Sequence, residues 1–101
     1  MALDFLILEN KEHLFGLESQ KYSELEEIFE TFKLWTGIYI DEYGDTDLTI
    51  SNQKALIKII DQYINETNIN LDKNKTISIL EFRGLLSFFI KKNYDLKLVG
   101  D

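Results

Sequence analysis

The sequence predicts a single α+β domain over residues 1–101, with a small antiparallel sheet built from an N-terminal hairpin and a C-terminal strand and covered by about three helices. Apolar segments typical of strands lie at both ends of the chain. Between them, three segments repeat apolar residues at helical spacing. A length of 101 residues with 45% hydrophobic content suits one core. Strands and helices segregated along a chain are typical of the α+β class.

The N-terminal segment predicts a β-hairpin. Residues 3–9 are rich in Leu, Ile and Phe, which suits a strand. Asn10 and Lys11 are suited to a turn, and residues 13–17 can return as the second strand.

A first helix is predicted over about residues 23–34. Ser23 followed by Glu26 three residues later has the pattern of a capping box, and glutamates are frequent in the first turn, where the helix dipole favours them. The apolar stripe of this helix contains Leu25, Ile28, Phe29 and Phe32.

Two further helices are predicted in the second half of the chain. Ser51 can cap the second, and residues 65–70 end it. Ser78 and Glu81 repeat the capping-box pattern at the start of the third, which extends to about residue 93. Their apolar stripes contain Leu56, Ile59, Ile60, Tyr63 and Ile64, and Phe82, Leu85, Leu86, Phe89 and Ile90.

The C-terminal tail predicts a strand that pairs beside residues 3–8. Apolar and charged residues alternate over residues 94–98, which is the period of a half-buried strand. Residues 34–50 leave two alternatives open. The alternation of Ile38 and Ile40 fits a strand, whereas residues 35–43 also fit a helix.

Charge is distributed unevenly along the chain. The net charge is −7, but residues 1–50 hold twelve acidic and three basic residues, giving 3 minus 12, or −9, whereas the remainder has eight basic and six acidic residues, giving +2. Nucleic acids and anionic membranes both attract clustered Lys and Arg, so this balance argues against direct binding of either. It favours a basic protein partner. The alternative is that the acidic residues serve only to keep the protein soluble.

The residue types needed for common enzyme sites are missing. The chain has no cysteine, which excludes a thiolate zinc site. Its single histidine, His13, comes without a Gly-x-Ser-x-Gly nucleophile motif, so we expect it to be an ordinary strand or turn residue. The five glycines are far apart, which excludes a phosphate-binding glycine loop. We therefore expect neither catalysis nor a cofactor or metal. We also expect a cytoplasmic location, because no secretion signal or membrane span is visible.

Residues 72–81 resemble a calcium-binding loop only in part. Asp72 comes first and Glu81 precedes Phe82, as in a helix-loop-helix site. Such a loop needs twelve positions with glycine at the sixth, whereas this segment has ten and no glycine. A turn followed by a helix cap is the favoured interpretation, and a degenerate calcium-binding protein remains the alternative.

The strongest candidate for a binding site is a cluster of carboxylates and aromatic residues in the middle of the chain. Four carboxylates lie within seven residues around Gly44 and repel one another unless cations offset them. Nearby Trp and Tyr side chains are of the types enriched at interface hot spots. The predicted partner-binding residues are Trp35, Tyr39, Asp41, Glu42, Tyr43, Asp45 and Asp47. A surface turn whose aromatic residues belong to the core is the alternative.

The order and composition of the segments along the whole chain resemble those of a known protein family. The chain opens with the segment LDFLIL, carries DEYGDTDLTI before an Ile- and Leu-rich helix, and ends in a strand. In this layout the chain resembles the small acidic immunity proteins of bacterial polymorphic and contact-dependent toxin systems. The resemblance implies a cytoplasmic protein that binds a cognate toxin domain, often a basic nuclease, and blocks its active site or substrate path. A general protein-interaction module is the alternative, and the sequence leaves the oligomeric state open.

Overall fold

The structure, a computed structural model, describes residues 2–68 and 70–100 and confirms the α+β class. In the described part, the elements follow one another as β1 (Ala2–Ile7), β2 (His13–Glu18), α1 (Ser19–Glu24), α2 (Glu26–Thr36), β3 (Thr46–Leu48), α3 (Ile50–Glu66), α4 (Lys73–Lys91) and β4 (Leu96–Val99). None of the helices in this part of the chain is both long and apolar enough to cross a membrane.

The four strands form one antiparallel sheet in the order β2-β1-β4-β3. The predicted hairpin is confirmed, and so is the pairing of the C-terminal strand with the N-terminal one, where Phe5 lies opposite Leu98. The register of the hairpin shifts between Phe5 and Leu6, and Leu14 is the extra residue. Such a bulge lets one strand bend away from its partner.

One face of the sheet packs against the helices. Alternate residues of β1 and β4 point into the core, as the strand period requires, and Leu3 and Leu98 are fully buried. Phe82 of α4 lies at the centre, with its ring centroid 5.9 Å from that of Phe5 and 5.7 Å from that of Phe29. The core includes the predicted stripe residues Ile28, Phe32, Leu56, Ile60, Phe82 and Phe89.

The predicted first helix is two helices, so its predicted start is wrong. The chain enters α1 directly from β2, and Ser23 lies inside α1, where its hydroxyl donates to the carbonyl of Gln20 over 2.6 Å. Leu25 separates α1 from α2 and is fully buried. Burial of Leu25 at this junction therefore overrides the capping box suggested by Ser23 and Glu26.

The predicted caps of the other two helices are also wrong. Thr49, and not Ser51, caps α3, because its hydroxyl accepts from the backbone N–H of Asn52 over 3.2 Å. Asp72 caps α4 by accepting from the N–H of Lys75 over 3.0 Å. Ser78 is buried inside α4, where it donates to the carboxylate of Glu24 over 3.0 Å. The side chain that was predicted to cap this helix therefore binds Glu24, which is distant in sequence.

The middle segment follows neither alternative over its whole length. α2 continues through Trp35 and ends at Gly37, which has φ 79° and donates to the carbonyl of Lys33. That left-handed conformation suits glycine and ends the helix. Residues 38–45 belong to no helix or strand, and the strand comes later, at Thr46–Leu48. Ile38 and Ile40 nevertheless contribute to the core.

Candidate partner-binding site

Five of the predicted site residues, the four carboxylates and Tyr43, lie in residues 41–47, which we call the acidic loop. It lies between α2 and the end of β3 and includes the first two residues of β3, which is an edge strand of the sheet. Ile40, immediately before the loop, is fully buried in the core. The loop is therefore held at both ends, by a core residue on one side and by sheet pairing on the other.

Tyr22 of α1 holds the start of the acidic loop. Its hydroxyl donates to the carbonyl of Ile40 over 2.6 Å and lies 3.3 Å from the hydroxyl of Tyr39. Burial, followed by the hydrogen bond with Tyr39, raises the pKa of the Tyr22 hydroxyl far above its ordinary value of 10.0. The phenol therefore stays protonated and keeps donating to the loop backbone.

The backbone of the acidic loop is a tight turn. One carboxylate oxygen of Asp41 accepts from the N–H of Tyr43 over 3.0 Å, and the carbonyl of Asp41 accepts from the N–H of Gly44 over 3.3 Å. The carbonyl of Gly44 in turn accepts from the N–H of Gly100 over 3.1 Å. An Asx turn of this kind is a common use of aspartate outside helices.

Gly100 is the position where the C-terminal end of the chain meets the loop. A Cβ atom there would lie 2.5 Å from the carbonyl oxygen of Glu42 and 2.5 Å from the nitrogen of Gly44. These are backbone atoms, so a side chain would force the turn itself to move. The absence of a side chain at Gly100 thus fixes where the loop sits on the sheet.

The carboxylates of the acidic loop are largely uncompensated. Asp47 lies opposite Lys97 in the sheet, with its carboxylate 3.8 Å from the Lys97 Nζ. Among the described residues, no ion pair involves Asp41, Glu42 or Asp45. Oε2 of Glu42 is shielded from solvent and has no hydrogen-bond partner in the described part of the chain. Asp41, Asp45 and Asp47 are exposed, so this loop presents negative charge that a cationic surface would stabilise.

The two tyrosines of the site differ in their contacts. Tyr43 is 61% exposed, and its hydroxyl and ring contact no other described side chain by hydrogen bond or stacking. The hydroxyl of Tyr39 is hydrogen-bonded to the hydroxyl of Tyr22, and the Nζ of Lys33 lies 5.3 Å from the centre of the Tyr39 ring. Tyr43 is thus the aromatic side chain of the loop that is available to a partner.

Trp35 lies on a different surface. Together with Lys54, Ala55 and Lys58 of α3 it lines a shallow groove that none of the four loop carboxylates lines. The structure therefore separates the predicted site into two parts. One is the acidic loop, which includes Tyr43, together with the nearby Tyr39, and the other is a patch around Trp35.

The acidic residues of α1 and α2 are partly used within the fold. Glu24 accepts from Ser78, and Glu27 lies 2.9 Å from the Nζ of Lys75, which lowers the pKa of the Glu27 carboxyl from its ordinary value. Both contacts join these helices to α4. Glu26 and Glu30 form no ion pair in the described part of the chain, so this helical face also carries uncompensated charge.

The remaining sequence candidates have structural contacts of their own. His13 begins β2, and its Nε2 lies 3.0 Å from the carboxylate of Asp4. Residues 73–81 are helical, and Asp72 uses its carboxylate as the helix cap, so this segment is not a loop that could wrap an ion. In residues 2–68 and 70–100, no group of three or more acidic or histidine side chains could hold a metal ion.

Sequence reasoning missed the two residues that shape the acidic loop. Tyr22 and Gly100 are each far from the loop along the chain, so only the folded backbone brings them to it.

Comparison with known proteins adds no relative: no family model matches the chain, no curated protein matches its sequence, and no solved structure matches its fold.

Proposed function

We propose that this chain is a cytoplasmic immunity protein that binds a basic toxin domain through the acidic loop and blocks that domain's active site. The observation that carries the proposal is the set of three loop carboxylates without an ion-pair partner in the described part of the chain, Asp41, Glu42 and Asp45. Their position is set by backbone contacts, so little ordering is required on binding.

The chemistry of the loop suits a nuclease-type toxin. A nuclease binds its substrate through Lys and Arg side chains that neutralise phosphates. Carboxylates held on one turn offer those Lys and Arg side chains a row of negative oxygens, as the phosphates of a nucleic acid do. The negative field of the loop also speeds encounter with such a surface, and the exposed Tyr43 ring can then bury against it.

A protection assay tests this function. The proposal expects a large reading frame with a basic C-terminal domain next to the gene for this chain, and the absence of such a frame would count against it. The probe is that domain, expressed in cells with and without the chain. We expect growth to stop when the domain is expressed alone and to resume when both are expressed, with the two proteins purifying as a stoichiometric complex. A neighbouring domain that is harmless alone, or equally toxic with this chain, would contradict the proposal.

The same assay separates immunity from a general interaction module. A module of that kind would bind the neighbouring domain without restoring growth. Catalytic assay of the purified domain decides between the two, because an immunity protein lowers its activity in proportion to the amount of complex formed.

A further inference from the structure

The surface formed by α2 and α3 leaves large apolar side chains uncovered. Leu34 is 85% exposed and its neighbour Trp35 is 49% exposed. Trp35 borders the groove on α3, whose other walls come from Ser51, Lys54, Ala55, Ile57 and Lys58. Adjacent exposed Leu and Trp side chains beside an apolar groove are typical of an interface between proteins.

The two helices run antiparallel to one another. Trp35, at the end of α2, lies beside Lys54 and Lys58, near the start of α3. At the other end, Glu27 pairs with Lys75, whose Nζ lies 5.5 Å from the ring centre of Tyr63, near the end of α3. Glu30 therefore lies between these two levels, about half a helical turn along α3 from Lys58.

Opposite charges flank the apolar strip. Lys54 and Lys58 are exposed one turn apart on α3, and neither forms an ion pair among the described residues. Glu30 is exposed on α2, one turn before Leu34, and it too lacks an ion-pair partner in that part of the chain. Lys33 is also exposed on α2, but its Nζ lies 5.3 Å from the ring centre of Tyr39, and neither residue lines the groove. The face thus carries a basic side on α3, an apolar middle, and Glu30 as its acidic side.

We propose that this face binds the same face of a second copy of the chain about a two-fold axis running along the α2–α3 groove. A two-fold interface requires a surface that is complementary to itself. Here Leu34 and Trp35 of each copy would fill the groove of the other, and Glu30 of each copy would lie over Lys58 of the other. Each contact occurs twice, and the acidic loop takes no part.

The other exposed apolar stripe, on α4, does not have this property. Ile77, Leu80 and Phe88 are each about half exposed there. The stripe is flanked by Lys73 and Lys91, so pairing it with itself would bring like charges together. Charge complementarity therefore favours the α2–α3 face for a second copy.

Sedimentation of the full chain over a wide range of concentrations tests the proposal. We expect the wild type to change from monomer to dimer as its concentration rises. Glu30→Lys and Lys58→Glu should each weaken the dimer at least about tenfold, because each places like charges across both symmetry-related contacts. The double variant Glu30→Lys/Lys58→Glu should recover most of that loss, since it restores opposite charges.

Two aromatic variants complete the test. Trp35→Ser should abolish the dimer, and Phe88→Ser, which changes an equally exposed ring on α4, should leave it intact. Circular dichroism confirms that each variant is folded. A wild type that stays monomeric at every concentration, a double charge variant without recovery, or a dimer lost in Phe88→Ser and kept in Trp35→Ser would overturn the proposal.

Discussion

At the scale of single residues, the acidic loop depends on one buried hydroxyl. Tyr22→Phe removes the donor to the Ile40 carbonyl and leaves that buried oxygen unpaired. We expect the free energy of unfolding to fall by about 1 to 3 kcal/mol, as when a buried acceptor loses its partner. Denaturant unfolding measures the change. Tyr43→Phe is the matched control, since that exposed hydroxyl has no such partner, and an equal effect of both changes would contradict this account.

Gly100 gives a second prediction at the same scale. Gly100→Ala places a methyl group against the backbone of residues 42–44, so the turn must move. We expect a loss of stability of about 1 to 3 kcal/mol and altered amide chemical shifts in the acidic loop. Gly84→Ala is the control, because a Cβ there meets nothing within 4 Å. That change should stabilise the helix by about 0.5 to 1 kcal/mol. Unchanged loop shifts in Gly100→Ala would show that the contact does not position the turn.

Individual residues could be predicted from the sequence only where their chemistry is local. The carboxylates of the acidic loop are identifiable because they are close together in the chain. Their backbone support is not, because Tyr22 and Gly100 are brought to the loop by sheet pairing and helix packing. The same limit applies to Trp35, whose separation from the loop depends on the end of α2 at Gly37.

At the scale of elements, the cap of α4 is the clearest test. Asp72→Ala removes the side chain that accepts from the N–H of Lys75, and we expect a loss of about 0.5 to 2 kcal/mol. Asp72→Asn should preserve most of the stability, since Asn is an equally good cap. Thermal unfolding of the two variants compares them. If α4 instead began at Ser78, as its capping-box pattern suggests, Asp72→Ala would have no effect.

The elements themselves were largely predictable, and their ends were not. Apolar periodicity located the hairpin, the stripes of α3 and α4, and the final strand, because burial of one face determines it. The predicted cap at Ser23 was wrong because Ser23 lies inside α1, before the buried Leu25, and the one at Ser78 was wrong because Ser78 donates to Glu24, which is distant in sequence. The short strand β3 was not located, since its pairing with β4 is a contact distant in sequence.

At the scale of the whole molecule, ion pairs join α4 to α2 and to α3. Glu27 pairs with Lys75, and Asp61 accepts two hydrogen bonds from Arg83, at 2.7 and 3.1 Å. The hydrogen bond from each basic partner lowers the pKa of these carboxyls below the ordinary values of 4.5 and 3.8. The ion pairs thus contribute to stability when the carboxyls are ionised.

This arrangement predicts how stability depends on pH. Because the folded pKa values are lowered, the contribution is complete above about pH 5 and is lost as the pH falls through the folded pKa values. Both carboxylates are substantially exposed, so each pair should contribute less than about 1 kcal/mol. Lys75→Met should reduce the acid dependence measured by denaturant unfolding. If the free energy of unfolding of this variant falls with pH as steeply as that of the wild type, the Glu27–Lys75 pair has no such role.

The most direct test of the central claim uses the toxin domain identified by the protection assay. Its binding is measured to a variant with a neutralised loop, Asp41→Asn/Glu42→Gln/Asp45→Asn/Asp47→Asn. The control variant removes four exposed carboxylates elsewhere, Glu9→Gln/Glu12→Gln/Glu18→Gln/Glu26→Gln. We expect the loop variant to associate at least about tenfold more slowly at low salt and to lose most of its salt dependence, with a much smaller effect in the control. Equal affinity of the loop variant and the wild type at low salt would contradict the claim and place the binding face elsewhere.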